Sequence, residues 1–306
     1  MIIRKKQNWF LMLFVWRGSV LPEILPRLVA LFLISCTVVF FQGKLFQYKI
    51  PLNTTPFTFI GLALAIFLGF CNNASYDRFW EARKLWGGLL IDARSLARQA
   101  LTLNKQEADP EHVYSFVQLL IAFTYALKHQ LRSTDPTIDL ERLLPDNFSY
   151  MLKNVRFKPA IIILEMGKWL QKSRQEGKID EIIQAAIDNN LNRLSEILGG
   201  CERIANTPIP YTYSVLLHRT IYIYCFLLPF GLVDSIGWMT PFIVTFIGYT
   251  FIALDAIVTE IEEPFGLEKN DLALNAMCYT IETSLLEMLG KDISAIKVQD
   301  NKYMVN

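Results

Sequence analysis

The stretch Gly61-Leu-Ala-Leu-Ala-Ile-Phe-Leu-Gly-Phe70, running into Cys71-Asn-Asn-Ala-Ser-Tyr-Asp-Arg-Phe-Trp-Glu-Ala-Arg-Lys-Leu-Trp86, decides the fold. Read as one helix, it carries two stripes. Gly61, Ala65 and Gly69 recur every four residues and make a flat groove where another backbone can come close. Leu62, Ile66 and Phe70 recur at the same spacing, about 100° further round, and make a ridge of bulk. Two readings follow from the physics alone. Small-xxx-small is a helix-packing device, and Leu, Ile and Phe form the commonest lipid-facing set. A membrane helix with separate packing and bulky faces can instead put the bulky face in a pore.

The remainder of the chain fits a membrane protein with a large water-exposed part. Of 306 residues 52% are hydrophobic, and mean hydropathy is +0.28. Those values sit slightly above ordinary globular usage. A net charge of +1 gives no whole-chain attraction to nucleic acid. Cys36, Cys71, Cys201, Cys225 and Cys278 are far apart, so neither a disulfide framework nor a zinc site follows. The N-terminal Met1-Ile-Ile-Arg-Lys-Lys precedes a short apolar patch, Trp9 to Trp16, broken by Arg17. No small-residue cleavage site follows, which argues against a cleaved signal peptide.

Four segments read as spans: 25–41, entered through Pro22 and Pro26; 57–76, after Pro56; 211–233, after Pro208-Ile-Pro210; and 239–258. Each approaches the roughly 20 apolar residues that a spanning helix needs. A fifth apolar run, 113–127, is short and carries Gln118, with His112, Lys128 and His129 at its ends. It reads as a buried helix of a water-exposed domain. Most Lys and Arg lie between Arg78 and Arg203, whereas Asp234-Ser-Ile-Gly-Trp-Met carries none. By the positive-inside tendency both termini and the middle segment are cytoplasmic. The expected division is 1–76 (N-terminal segment and spans one and two), 77–210 (cytoplasmic helical region), 211–262 (spans three and four) and 263–306 (C-terminal helix and tail). Within the insert, helical spacing runs from Asp77 past Leu101. Asp109-Pro110 opens another helix, 159–176 stops at Gly177, and 179–205 repeats Ile and Leu at helical spacing.

No HExxH, Glu-x-x-His pair, GxSxG or Gly-rich phosphate loop is present, and His112, His129 and His218 are isolated. No catalytic residue and no cofactor follow. Asp255 and the run Glu260-Ile-Glu-Glu-Pro-Phe-Gly266, with Glu262 and Glu263, form the one acidic cluster near a span end. It has three readings. Its carboxylates pair with Arg78, Arg83 and Lys84, or they form an ion-attracting ring, or they build a calcium site with Glu268 and Asp271. Six or more oxygens are needed for calcium, and Lys269 opposes it. Phe79, Trp80 and Trp86 read as an interfacial aromatic belt.

These residues carry a resemblance. Gly69-Phe-Cys-Asn-Asn-Ala-Ser-Tyr-Asp-Arg-Phe-Trp-Glu-Ala-Arg-Lys-Leu-Trp86 and Glu260-Ile-Glu-Glu-Pro-Phe-Gly-Leu-Glu-Lys-Asn-Asp-Leu272 resemble the bestrophin family, especially its bacterial branch. The resemblance implies an all-α homopentamer around a central pore, with four membrane helices per subunit and a large cytoplasmic helical region. It implies a hydrophobic neck at Leu62, Ile66 and Phe70 and a cytoplasmic aperture near Ile182. Asp77 and Arg78 join the acidic residues as ion-attracting or structural charges. Eukaryotic members are calcium-activated chloride channels, with an acidic run after Pro-Phe-Gly that helps bind the metal. Here only Glu268 and Asp271 of that run remain, so no metal site is expected. Bacterial members resemble cation channels, and selectivity stays open.

The expected partners are membrane lipid, further copies of this chain and monovalent ions, with no nucleic acid, in the inner (plasma) membrane. Asn72, Asn73 and Ser75 are expected just below the neck. The alternatives are a secondary transporter of small anions, for which inverted repeats or interrupted spans are the signature, and a membrane-bound scaffold.

Overall fold

A computed structural model describes residues 8–16, 18–45, 48–49, 52–103 and 110–293. The readings on Met1 to Lys6, on Arg17, on Asp109 and on the tail beyond 293 lie outside the described residues. In chain order the helices are α1 (Trp9–Met12), α2 (Leu21–Phe40), α3 (Thr54–Thr102), α4 (Pro110–Arg132), α5 (Thr137–Leu143), α6 (Asp146–Lys153), α7 (Lys158–Gln175), α8 (Glu181–Asn206), α9 (Tyr211–Ile236), α10 (Thr240–Glu262) and α11 (Leu274–Met288). Lys44–Leu45 and Tyr48–Lys49 form a two-residue antiparallel pair between α2 and α3. The chain divides into two compact units, one of residues 4–79 and 208–263, the other chiefly of 80–207 and the residues from 264.

The first unit holds the apolar helices. Leu21–Phe40, Thr54–Thr102 and Tyr211–Glu262 are long and apolar enough to cross a membrane, the last being α9 and α10 taken through the short 3-10 turn Gly237–Met239. Helix α2 starts a turn earlier than 25. Pro22 sits in the first turn, where no intrahelical donor is lost, and Pro26 is carried inside the helix. Asn53 caps α3: its Oδ1 accepts the Thr55 amide at 3.1 Å. Gly237 ends α9 at φ +53°, a conformation that suits glycine.

Ile24, Leu28 and Leu31 of α2, Phe57, Leu64 and Leu68 of α3, Ile221 and Leu228 of α9, and Val244 and Ile252 of α10 share one core. Two glycines admit neighbours into it. A Cβ on Gly231 would stand 2.4 Å from the Phe57 ring, and one on Gly248 would stand 2.4 Å from a Leu31 methyl.

The second unit is built around α4. Val113, Phe116, Val117 and every residue from 119 to 128 are buried, so this helix is covered on all sides by protein. Helices α5, α7, α8 and α11 do the covering. The second half of α3 runs antiparallel along α8. Asp92 meets Arg193 at 3.1 Å, Gln99 accepts from Asn190 at 2.8 Å, and Leu85 packs at Gly200. Trp86 is buried at 1% exposure on a neighbouring face of the helix, in line with the buried Ala82, Leu89 and Ala93. It is therefore a core residue and leaves the expected aromatic belt; Trp80 stays exposed.

Polar groups lock α11 in place. Glu282 of α11 is 1% exposed; its carboxylate takes two hydrogen bonds from Arg142, at 2.5 and 3.1 Å, and one from the Tyr125 hydroxyl at 2.6 Å. Burial, then the hydrogen bond to Glu282, pushes the Tyr125 phenol well above its ordinary range. Asp139 receives Lys128 at 3.2 Å and His129 at 2.8 Å. Burial works to raise its pKa, but the His129 hydrogen bond and the Lys128 charge outweigh it and hold the carboxyl below its usual value.

Arg142→Ala removes two of the three hydrogen bonds to the buried Glu282 carboxylate and, with Arg142 itself half-exposed, is expected to destabilise this unit by about 1–3 kcal/mol. The readouts are a lowered melting temperature and faster amide exchange across α11. An unchanged melting temperature contradicts the network's role. Because the folded Asp139 pKa is depressed, its contribution is present above the unfolded carboxylate value of about 3.9 and is lost as pH falls through the folded value.

Candidate pore-lining helix

Helix geometry sorts the first half of α3 into faces. Leu64 and Leu68 are 3% and 2% exposed and carry the packing within the chain. At about 100° per residue, Ile66 points about 180° from the midpoint between them. Leu62 and Phe70 flank it by about 40° on either side. All three are bare in the single chain: Leu62 is 60% exposed, Ile66 52% and Phe70 67%. Large apolar side chains in a row on a helix surface call for a partner of some kind.

The small stripe divides. Gly61 meets the Tyr224 hydroxyl of α9, which a Cβ would approach to 2.8 Å. Gly69 has nothing within 4 Å and Ala65 is exposed, so those two positions lie open on the single chain. The residues that the sequence reading passed over are Leu64 and Leu68. They have the same chemistry and spacing as Leu62 and Ile66, and only the positions of the neighbouring helices tell the two rows apart.

Below Phe70, Asn73 and Asp77 continue the outward face and are exposed, and Asn72 is half-buried. Ser75 does not follow them. It is fully buried, on the same side as Leu64 and Leu68, because it lies 11 and 7 residues beyond them, close to whole helical turns.

Charges in the middle of α3 and on α9 and α10 are tied to backbone groups as well as to side chains. Arg78 Nε donates to the backbone carbonyl of Glu262 at 3.2 Å. The Glu262 carboxylate accepts the Ile209 amide at 2.9 Å, inside the Pro208-Ile-Pro210 breaker. Asp255 pairs with His218 at 3.0 Å. Glu260 is half-buried and Glu263 exposed. His112 bonds Ser173 at 2.7 Å and stacks on Trp169, while His129 bridges Thr134 and Asp139. Each histidine thus holds a structural contact.

In the second unit Asp271 is buried and its Oδ2 accepts the Glu268 amide at 2.6 Å. Among the described residues no three His, Cys, Asp or Glu side chains gather into a metal-sized group. With Asp271 turned onto its own loop, Glu268 and Asp271 do not fit a calcium ion, which takes six or more oxygens.

Ile182 stands in the first turn of α8 at 82% exposure. Asp180 caps that turn, its Oδ1 accepting the Ile183 amide at 2.9 Å. Arg174 of α7 bonds Glu181 and, at 3.1 Å, Gln184. Ile187, Leu191, Leu194 and Leu198 form the buried face of α8, and Ile182 lies about 150° away from it. A bulky apolar residue on the polar face was a signal available in the sequence.

Comparison with known proteins adds an independent line. The family model for "Bacterial/Fungal Bestrophin protein" matches residues 1–287. A protein of Ralstonia nicotianae named voltage-dependent anion channel-forming protein RSc3414 is 50% identical over 291 residues, 95% of each chain. The voltage-dependent anion channel-forming protein YneE of Escherichia coli K12 is 43% identical, over 100% of both. The crystal structure of a bacterial bestrophin homolog from Klebsiella pneumoniae superposes with a TM-score of 0.85 at 45% identity, covering 88% of this chain and 99% of that one. A family match over nearly the whole sequence and a shared helical fold agree: the chain belongs to the bacterial and fungal bestrophin family.

Proposed function

We propose that the protein is a passive channel for small monovalent ions, formed by five copies around a central axis. The observation that carries this reading is the bare row Leu62, Ile66 and Phe70, opposite the face of α3 that packs within the chain. Five copies turn that row into three apolar rings, roughly 6 Å apart along the axis. Narrow apolar rings hold ions back by dewetting and need no polar ligand. Ala65 and Gly69, open in the single chain, supply the close approach between neighbouring copies of α3. Asn73 and Asp77 follow the rings and return dipoles and charge to the ion. On the family resemblance Ile182 forms a second narrowing. The chain crosses the plasma membrane four times, through α2, the first half of α3, α9 and α10, with both termini cytoplasmic.

The names of the two curated relatives specify anions, and that is the permeant class carried here. A second reading, cation permeation, has its own observation: Asp77 is exposed on the outward face below Phe70, and a ring of five carboxylates attracts cations. The reading of α10's carboxylates as an ion-attracting ring gains less, since Asp255 is engaged by His218 and Glu262 by Ile209.

Purified protein in planar bilayers under asymmetric salt separates the two. Reversal near the chloride equilibrium potential supports the anion reading. Reversal near that of the cation overturns it, and Asp77→Asn is then expected to weaken cation preference. Ile66→Ala is expected to raise single-channel conductance several-fold. Unchanged conductance in all three alanine variants of Leu62, Ile66 and Phe70 contradicts the neck. For Ile182→Ala an altered conductance or selectivity is expected, and no effect places the second narrowing elsewhere. Saturable uptake coupled to a second ion would favour a transporter instead.

A further inference from the structure

A groove of about 530 Å³ opens between α2 and α9, within the about 300–1,000 Å³ typical of small-molecule sites. Ala30 and Ile34 of α2 and Ile223 and Leu227 of α9 form apolar walls. Arg27 and Tyr222 are the first residues to line it on each helix, and the Arg27 charge acts on the Tyr222 hydroxyl, so the two stand at the same end. The groove is greasy along its length and carries one cation at its mouth.

The groups around that cation define what it can take. Glu23 lies one turn nearer the helix start, 3.8 Å from Arg27, with the two side chains 67% and 41% exposed. A pair that long and that exposed is weak and leaves both partners with bonding capacity. His218, its ring 4.5 Å from that of Tyr222 and tilted 46° to it, is engaged with Asp255 at 3.0 Å. What remains is a guanidinium fork, suited to phosphate, and a carboxylate one turn closer to water. A ligand with an apolar chain, a phosphate and an outer ammonium fits that order.

We propose that this groove binds one phospholipid of the phosphatidylethanolamine type. The acyl chain lies between α2 and α9, the phosphodiester sits on Arg27 and Tyr222, and the ammonium meets Glu23. The groove lies on another side of α9 from α3: Tyr224 and Gly231 face Gly61 and Phe57 of α3, whereas the groove walls Ile223 and Leu227 point about 70°, and Tyr222 about 170°, away from that direction. That this flank is free for lipid rests on the proposal that α3 faces the axis; the chemistry of the groove does not.

Delipidated protein in a maltoside detergent, titrated with dioleoylphosphatidylethanolamine while its melting temperature is followed, tests the site. Wild type is expected to melt higher as lipid is added. Arg27→Ala and the groove-filling Ile223→Trp are expected to need at least about tenfold more lipid for the same rise. Glu23→Gln is expected to keep the response but lose preference for this lipid over dioleoylphosphatidylcholine. Ile223 is exposed, so its variant reports on the groove even if Arg27→Ala fails to fold.

Equal responses of wild type and Ile223→Trp overturn the proposal. So does disulfide cross-linking of two copies in native membranes through Ile34→Cys and Ile223→Cys, which would show the flank to be covered by protein. The pore reading fails separately: neck variants without effect on conductance, beside an intact lipid response, would remove the axis and leave the groove.

Discussion

A helix with bulky apolar side chains all round can bury only part of them inside one chain, and α3 is where that constraint acts on this protein. Its rotation about its own axis is fixed by close contacts. Gly61 lies against the Tyr224 hydroxyl, Phe57 fills the space over Gly231, and Leu64 and Leu68 enter the shared core. With that face committed, Leu62, Ile66 and Phe70 are turned outward by geometry. Turning α3 by half a revolution would put Leu62 and Ile66 into the core at little change in buried apolar area. It would lose the glycine contacts, however, and drive an ionisable Asp77 toward apolar neighbours. Shape complementarity at two glycines therefore sets which row faces out.

Polar contacts fix the helix ends rather than building a reaction centre. Arg78 reaches a backbone carbonyl at the end of α10, and the Glu262 carboxylate takes a backbone amide before α9. Hydrogen bonds to charged groups contribute about 1.5–3 kcal/mol each. Here they hold the turns into and out of the apolar helices. In the other unit, the Glu282 carboxylate joins α11 to α4 and α5.

The long helices were legible because length and hydropathy suffice for them. The first span begins a turn earlier than expected, since proline reads as a breaker but is tolerated in a first helical turn. The buried helix at 113–127 was legible from its shortness and polar ends, and α4 is covered by protein there. The rows Leu62/Ile66 and Leu64/Leu68 could not be ranked, because periodicity gives faces but not their neighbours. Ser75 and Trp86 were misplaced for the same reason: both sit among residues of the exposed kind yet fall on the packed side. The acidic cluster was visible, but its ties to a backbone carbonyl, a backbone amide and a histidine were not, because side-chain chemistry alone does not point to backbone partners. Helices α5 and α6 carried no signal of their own.

The central claim is that the row at Ile66 lines an aqueous path and the row at Leu64 does not. Block of current by a charged, water-soluble thiol reagent, compared between Ile66→Cys and Leu64→Cys in the same background, tests it most directly. The five native cysteines contribute equally to both variants. The account predicts rapid block of Ile66→Cys beyond the wild-type level and none beyond it for Leu64→Cys. Block of Leu64→Cys with Ile66→Cys unaffected would contradict it.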